Sequence, residues 1–222
     1  EVITYKGANE IKAEEILVAT GRKPNTKELN LELAGVKTDG KGFIITDDYL
    51  RTSNQNIYAA GDVVSKTLML ETLSAREGVI ASMNALKGDK LKMDYTAVPI
   101  VIFTNPNVAS VGLTEQELMQ KYKTCWCRVL TLDKVAKARI MNEYEGLVKI
   151  VVNPSNEKIV GIHMLAPNSS ETIMEGALAI KSGLTLEEII NTIHVFPTIS
   201  EAIKIAAQSF RRDVTKMSCC VE

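Results

Sequence analysis

Cysteine is scarce, four in 222 residues, too few in a chain this long for a secreted disulfide scaffold. No apolar run approaches the roughly 20 residues that a bilayer span needs. Residues 1–6 lack the basic and apolar segments of a signal peptide. An excess of one charge is missing too. The formal net charge is −1, so neither nucleic acid nor a membrane surface has an electrostatic footprint here. Internal repeats and low-complexity tracts are absent. What is left, 45% hydrophobic and 24% charged residues, is the make-up of a soluble globular protein, cytoplasmic by default. A chain of this length buries one or two cores.

The richest stretch is residues 52–62, Thr-Ser-Asn-Gln-Asn-Ile-Tyr-Ala-Ala-Gly-Asp. A polar turn leads into a short apolar strand, residues 57–60, which stops at Gly61-Asp62. Ala59, Ala60 and Gly61 let another backbone or a ligand come close. Asp62 then stands at the carboxyl end of a strand, where open α/β sheets bind ligands. Its carboxylate can accept hydrogen bonds from a sugar or polyol. The last four residues alone read equally as a strand-to-loop turn. The whole pattern (Thr, four residues, Ile, an aromatic, Ala, any residue, Gly, Asp) resembles the second FAD-binding motif of the flavoprotein disulfide reductase family. The resemblance implies that Asp62 binds the ribityl chain of FAD.

Along the chain, residues 2–5 alternate like a strand, 6–9 read as a turn, and 15–20 as a buried strand. Gly21 and Pro24 break that strand. This A-T-G-R-K-P-N run resembles the family's crossover from the NAD(P)-binding domain into the FAD domain. Residues 30–35 form a short helical turn and 39–42 a turn before a strand at 43–46. Gly40 and Gly42 lack the third glycine of a dinucleotide fingerprint. A helix over 70–86 follows, with Gly78 inside it for close packing against a neighbour. In the family, the corresponding helix points its N-terminus at the flavin, which implies cofactor contacts at Gly61, Asp62 and Leu70.

From about residue 92 the pattern becomes α+β. Strands are predicted at 99–103, 124–131, 146–153 and 159–165, in an antiparallel sheet of three or more strands, with the run 108–112 after the first. Thr114, with Glu117 in the capping-box position, starts a helix that runs to about Tyr122. A helix over 171–181 closes at Ser182-Gly183, Thr185 caps one through Ile190, and Ser200 caps one from Glu201 to about Phe210. The run from Phe103 to Glu115 resembles the entry to the family's interface domain. The expected fold is therefore α/β and α+β: the closing part of a Rossmann-like FAD/NAD(P) region, then an α+β dimerisation domain with an antiparallel sheet. The expected divisions are residues 1–22, ending an NAD(P)-binding domain, 23–91, in the FAD domain, and 92–222, the dimerisation domain. Neither G-x-G-x-x-G nor a redox C-x4-C is present. The family carries both upstream, so these residues are expected to be the carboxyl-terminal portion of a longer enzyme.

Two stretches decide between family members. Residues 194–201, His-Val-Phe-Pro-Thr-Ile-Ser-Glu, resemble the family's H-x-H-P-T-x-S-E. There the His before Pro is the acid–base for thiol–disulfide exchange, and the Glu orients it. Glu201 remains here, but Phe196 stands at the acid–base position, and a phenyl ring carries no proton. His194, two residues earlier on an extended segment, is predicted to face elsewhere, and His163 reads as structural. The chain ends Ser-Cys219-Cys220-Val-Glu. Adjacent thiols near a terminus suit a soft metal better than a core. Read alone they are equally incidental thiols, and the ending is a poor prenylation box.

Mercury-reducing members of the family share the Ser-Cys-Cys-x-x ending and the Phe-Pro pair, although Thr198 stands where a Tyr is frequent. This resemblance implies a homodimer using FAD and NADPH, with Hg(II) as substrate bound by Cys219 and Cys220. These two cysteines and Glu201 are the candidate catalytic residues. A lipoamide dehydrogenase-like enzyme using His194, or a non-catalytic metal-binding dimerisation module, are the alternatives. Cys125 and Cys127 share one face of a strand opposite Trp126. With no second ligand pair at zinc spacing, they read as half-buried strand cysteines. Arg211 and Arg212 read as a solvated helix end.

Overall fold

Turn chemistry dominates the first part of the chain. The computed structural model describes residues 2–6, 9–65, 68–88 and 90–214, which form two compact units, Glu1–Met93 and Asp94–Glu222. In the first unit, β1 (Val2–Lys6) and β2 (Asn9–Ala13) pair antiparallel, Val2 opposite Ala13. Strand β2 lay outside the sequence reading. The buried strand expected at 15–20 is not formed: Leu17 and Val18 are 92% and 76% exposed. A buried strand needs a ladder partner and a covering face, and the described residues bring neither to it.

The strands expected at 43–46 and 57–60 shrink to isolated bridges. Ile44 pairs with Thr38 and Val64, and Tyr58 with Arg51. Tight turns explain this. Asp39 Oδ1 accepts from the backbone N–H of Lys41 and Phe43, and Asp47 Oδ1 does the same for Tyr49 and Arg51. The chain reverses too often for a long ladder. Two small cores result, one of Val36, Ile44, Ala59 and Val64, the other of Leu50, Ile80 and Ala81.

Helix α1 (Glu71–Lys87) ends at Gly88 in a left-handed conformation, the usual glycine stop. Its buried stripe, Leu73, Glu77, Ile80, Ala81 and Asn84, follows helical spacing. Asn84 donates to the carbonyls of Tyr49 and Leu91 and accepts from Leu91 N, which ties the helix to two loops. Gly78 does not serve close packing, because a Cβ there would meet nothing within 4 Å.

The second unit is built on a five-stranded antiparallel sheet of order β3-β4-β7-β6-β5. Its strands are β3 (Ile100–Ile102), β4 (Asn107–Gly112), β5 (Trp126–Thr131), β6 (Leu147–Val152) and β7 (Ile159–Ala166). All but β4, which the sequence did not assign as a strand, lie within or beside their predicted spans. Helix α2 (Glu115–Tyr122) begins with a complete capping box: Thr114 Oγ1 accepts from Glu117 N, and Glu117 accepts from Thr114 N. A short helix not anticipated from sequence, α3 (Ala136–Met141), follows β5. Helix α4 (Ser169–Ser182) packs on β4 and β7, and closes at Gly183.

Thr185 and Glu188 form a second capping box for α5 (Leu186–Asn191). Helix α6 (Glu201–Gln208) packs on β5 and β6. Ser200 precedes it without a side-chain cap bond, because its backbone is already helical (φ −58°, ψ −32°). The core is continuous through the sheet, with Val148, Ile150, Ile162, Leu186 and Ile203 all buried. Among the described residues no helix is long and apolar enough to cross a membrane.

Candidate functional site

In the first unit the site grows from one glycine. Gly61 has φ +77° and opens the 3-10 turn Gly61–Val63. A Cβ on it would lie 3.1 Å from Ser74 Cβ and Oγ, so both conformation and space favour glycine there. Glu77, fully buried on α1, accepts the Gly61 N–H at 2.6 Å. That bond holds the turn against the helix. Glu77→Ala would leave a buried N–H without this acceptor, and we expect a loss of about 1–3 kcal/mol in urea unfolding.

Asp62 is the next residue and is partly open to solvent. Its Oδ2 receives Arg22 Nη1 at 2.6 Å, and its Oδ1 receives Ser74 Oγ at 3.3 Å. Arg22 Nη2 also donates to Met69 O at 2.6 Å. Leu70, the residue before α1, has an extended backbone (φ −107°, ψ 135°) and no side-chain cap. Its carbonyl accepts from Ser74 N and Oγ. Gly61, Asp62 and Leu70 therefore converge on Ser74. Arg22, Ser74 and Glu77 were not singled out from sequence. The signal was their spacing: Arg22 sits in the crossover run, and Ser74 and Glu77 are one helical turn apart.

This arrangement fits a flavin nucleotide. The carboxylate of Asp62 has acceptor capacity left for hydroxyls, and the first turn of α1, which has no side-chain cap from Leu70, presents backbone N–H groups to negative charge.

In the second unit, both ring nitrogens of His194 are engaged: Nδ1 with Thr192 O at 3.0 Å, Nε2 with Glu175 Oε1 at 2.8 Å. Neither partner can donate, so the protonated ring, which donates from both nitrogens, is the form this pairing favours. The Glu175 hydrogen bond is the main cause raising its pKa above 6.5. His194 therefore pins its segment to α4 and is not a free acid–base. Because the folded value is the higher one, this pair stabilises fully below about pH 6.5 and loses its contribution as pH rises through the raised value. Unfolding midpoints measured across that window should fall with pH, and Glu175→Gln should flatten the fall.

Phe196 is half exposed. Thr198 Oγ1 donates to Val195 O at 2.7 Å, so its hydroxyl is spent inside the segment. Glu201 opens α6 with a buried Oε2 that has no hydrogen-bond partner among the described residues. Burial raises its pKa, against the positive charges of His194 and Lys204. Cys219 and Cys220 lie outside the described residues.

His163 is structural: Nδ1 meets Ser110 Oγ at 2.6 Å, Nε2 meets Leu113 O at 3.0 Å, and burial pushes its pKa down. Arg211 is not merely solvated. It pairs with Glu157 and stands over the Trp126 ring at 5.7 Å. Cys125 and Cys127 do share one face, their Sγ atoms 2.9 Å apart. Burial, then the hydrogen bond with Cys127, pushes the Cys125 thiol up to about 12.

The profile of the pyridine nucleotide-disulphide oxidoreductase dimerisation domain matches residues 98–207, and that of the pyridine nucleotide-disulphide oxidoreductases matches residues 1–78. The chain belongs to the pyridine nucleotide-disulphide oxidoreductase family.

Among its relatives, the mercuric reductase of Staphylococcus aureus is 46% identical over 210 residues, 95% of this chain and 38% of that protein. That of Lysinibacillus sphaericus is 42% identical over 219 residues, 98% of this chain and 40% of that protein. The solved structure of the HOCl-induced flavoprotein disulfide reductase RclA from Escherichia coli matches with a TM-score of 0.82 and 26% identity, over 93% of this chain and 47% of that one. The chain thus spans about two fifths of the curated relatives it matches.

Proposed function

We propose that this chain is part of an FAD-dependent mercuric reductase that reduces Hg(II) to Hg(0) with NADPH. The observation that carries the reading is at residues 194–201: no ionisable side chain stands at 196, His194 is committed to Glu175, and Glu201 Oε2 has no hydrogen-bond partner among the described residues. A disulfide substrate needs a general acid there. Hg(II) needs only thiolates that exchange, because a soft ion passes from one sulfur to the next without being stripped bare.

In this reading residues 1–22 close an NAD(P)-binding domain, 23–91 belong to the FAD domain, and 92–222 form the dimerisation domain. Gly61, Asp62 and Leu70 would hold FAD, Asp62 at its ribityl hydroxyls and Leu70 at the start of α1. When bound, FAD supplies the two-electron relay from NADPH to the metal. Cys219 and Cys220 would capture Hg(II) and pass it to the partner subunit's active site, and Glu201 is the third candidate catalytic residue. Met174, Leu178, Ile193 and Val195 are exposed apolar side chains on or next to α4. They suit burial in a homodimer.

The test is Hg(II)-dependent NADPH oxidation by the purified full-length parent. Strong oxidation is expected, and none from this 222-residue chain alone. A flavin-loaded dimer that oxidises NADPH with disulfides but not with Hg(II) would overturn the proposal.

A further inference from the structure

The structure brings three metal-binding side chains together where the sequence shows only two. Cys125 and Cys127 flank Trp126 at the start of β5, and their thiols are free and partly exposed. Their separation of 2.9 Å is well beyond the roughly 2.05 Å of a disulfide. Glu115, the first residue of α2, brings its carboxylate to the same place. One ligand atom from each of the three lies within 4.8 Å of the others. We propose that Glu115, Cys125 and Cys127 form a binding site for a soft divalent metal ion, separate from the tail cysteines and independent of the flavoenzyme reading.

The elements hold these groups firmly. Trp126, on the opposite face of the strand, packs edge-on against Phe210 at 5.3 Å between ring centroids, which fixes the orientation of β5. The Thr114–Glu117 capping box fixes the first turn of α2. Lys149 lies two residues from Val151, the ladder partner of Cys127, hence on the same face. It pairs with Glu115 Oε2, which leaves Oε1 for a metal. The three ligand atoms already lie within 4.8 Å of one another, so a cation can take the position between them.

Two sulfurs and one oxygen select Zn(II), Cd(II) or Hg(II) over Mg(II) and Ca(II), which require oxygen ligands. Tetrahedral binding needs the sulfurs about 3.8 Å apart, given metal–sulfur bonds of roughly 2.3 Å. A modest side-chain rotation supplies that. Binding forms two metal–sulfur bonds and one metal–oxygen bond and releases two protons to solvent, with no change of oxidation state. The fourth position stays open, as in sites that exchange ligands.

The test uses the full chain carrying Cys219→Ala and Cys220→Ala, so that only Cys125 and Cys127 remain. Cd(II) titration should give ultraviolet thiolate-to-metal charge transfer saturating at one ion per chain, unaffected by excess Mg(II). Both thiols should then resist a thiol reagent. Cys127→Ser should abolish saturation, and Cys127→Val serves as the second variant if serine disturbs the strand by circular dichroism. Glu115→Gln should retain the band and weaken affinity by roughly tenfold. No charge-transfer band, or one ion shared between two chains, would overturn the site. Unchanged affinity in Glu115→Gln would overturn the three-ligand assignment.

Discussion

In the complete enzyme, replacing both Cys219 and Cys220 by alanine should lower Hg(II)-dependent NADPH oxidation by roughly tenfold or more when external thiols are scarce, equivalent to about 1.4 kcal/mol for each factor of ten. The reason is ligand supply. Hg(II) in water is held by whatever thiols are present and moves only when a new thiolate attacks it. Two adjacent thiolates offer such complexes two ligands, and each can hold the ion while the other hands it on. If the reading is right, the loss is confined to metal delivery: NADPH should still reduce the bound flavin at the parental rate in stopped-flow absorbance. An equal loss of flavin reduction would indicate damage to the fold. Full Hg(II)-dependent turnover in the double variant would remove the tail from the mechanism.

The largest stability effect is expected at a glycine that the sequence does not distinguish from its neighbours. Gly161 on β7 stands directly opposite Gly112 on β4. A Cβ on Gly161 would fall 2.0 Å from the carbonyl oxygen of Leu113, and one on Gly112 would fall 2.2 Å from that of Val160. Both obstacles are backbone, so neither can swing aside, and Leu113 N is bonded to that same Val160 carbonyl at 2.7 Å. Gly112 carries the further cost of φ +78°. Gly161→Ala should therefore destabilise the second unit by about 3 kcal/mol or more.

Gly78 is the internal control, a helical glycine with open space around its Cβ position. Gly78→Ala should stabilise α1 by about 0.5–1 kcal/mol, since alanine costs less backbone entropy in a helix. Urea unfolding of the two variants would display the opposite signs. A small loss at Gly161 would mean that β4 and β7 can separate more readily than their ladder suggests.

Local chemistry was enough wherever an interaction closes within a few residues. Thr114 with Glu117, and Thr185, could be read as caps because each cap closes within four residues and needs no distant partner. The strands of the second unit were legible because their apolar alternation meets neighbours in the same chain. The departure at Phe196 was legible because it depends on which atoms a side chain carries, and a phenyl has no ionisable proton in any fold.

Tertiary structure decided the rest. Apolarity at 15–20 predicts burial, but burial depends on what covers a segment, and Leu17 remains exposed. Gly78 and Gly161 look alike in one dimension, yet only β4 determines that one is open and the other blocked. Glu77 could not be told from a surface glutamate until Gly61 was found donating to it. His194 lost its acid–base candidacy to Glu175, nineteen residues away. Cys125 and Cys127 acquired Glu115 as a third ligand from a different element. Sequence determines which chemistry each side chain carries. Only the fold decides which of those groups meet, because the distances that govern hydrogen bonds, ion pairs and metal ligation are set between elements, not along the chain.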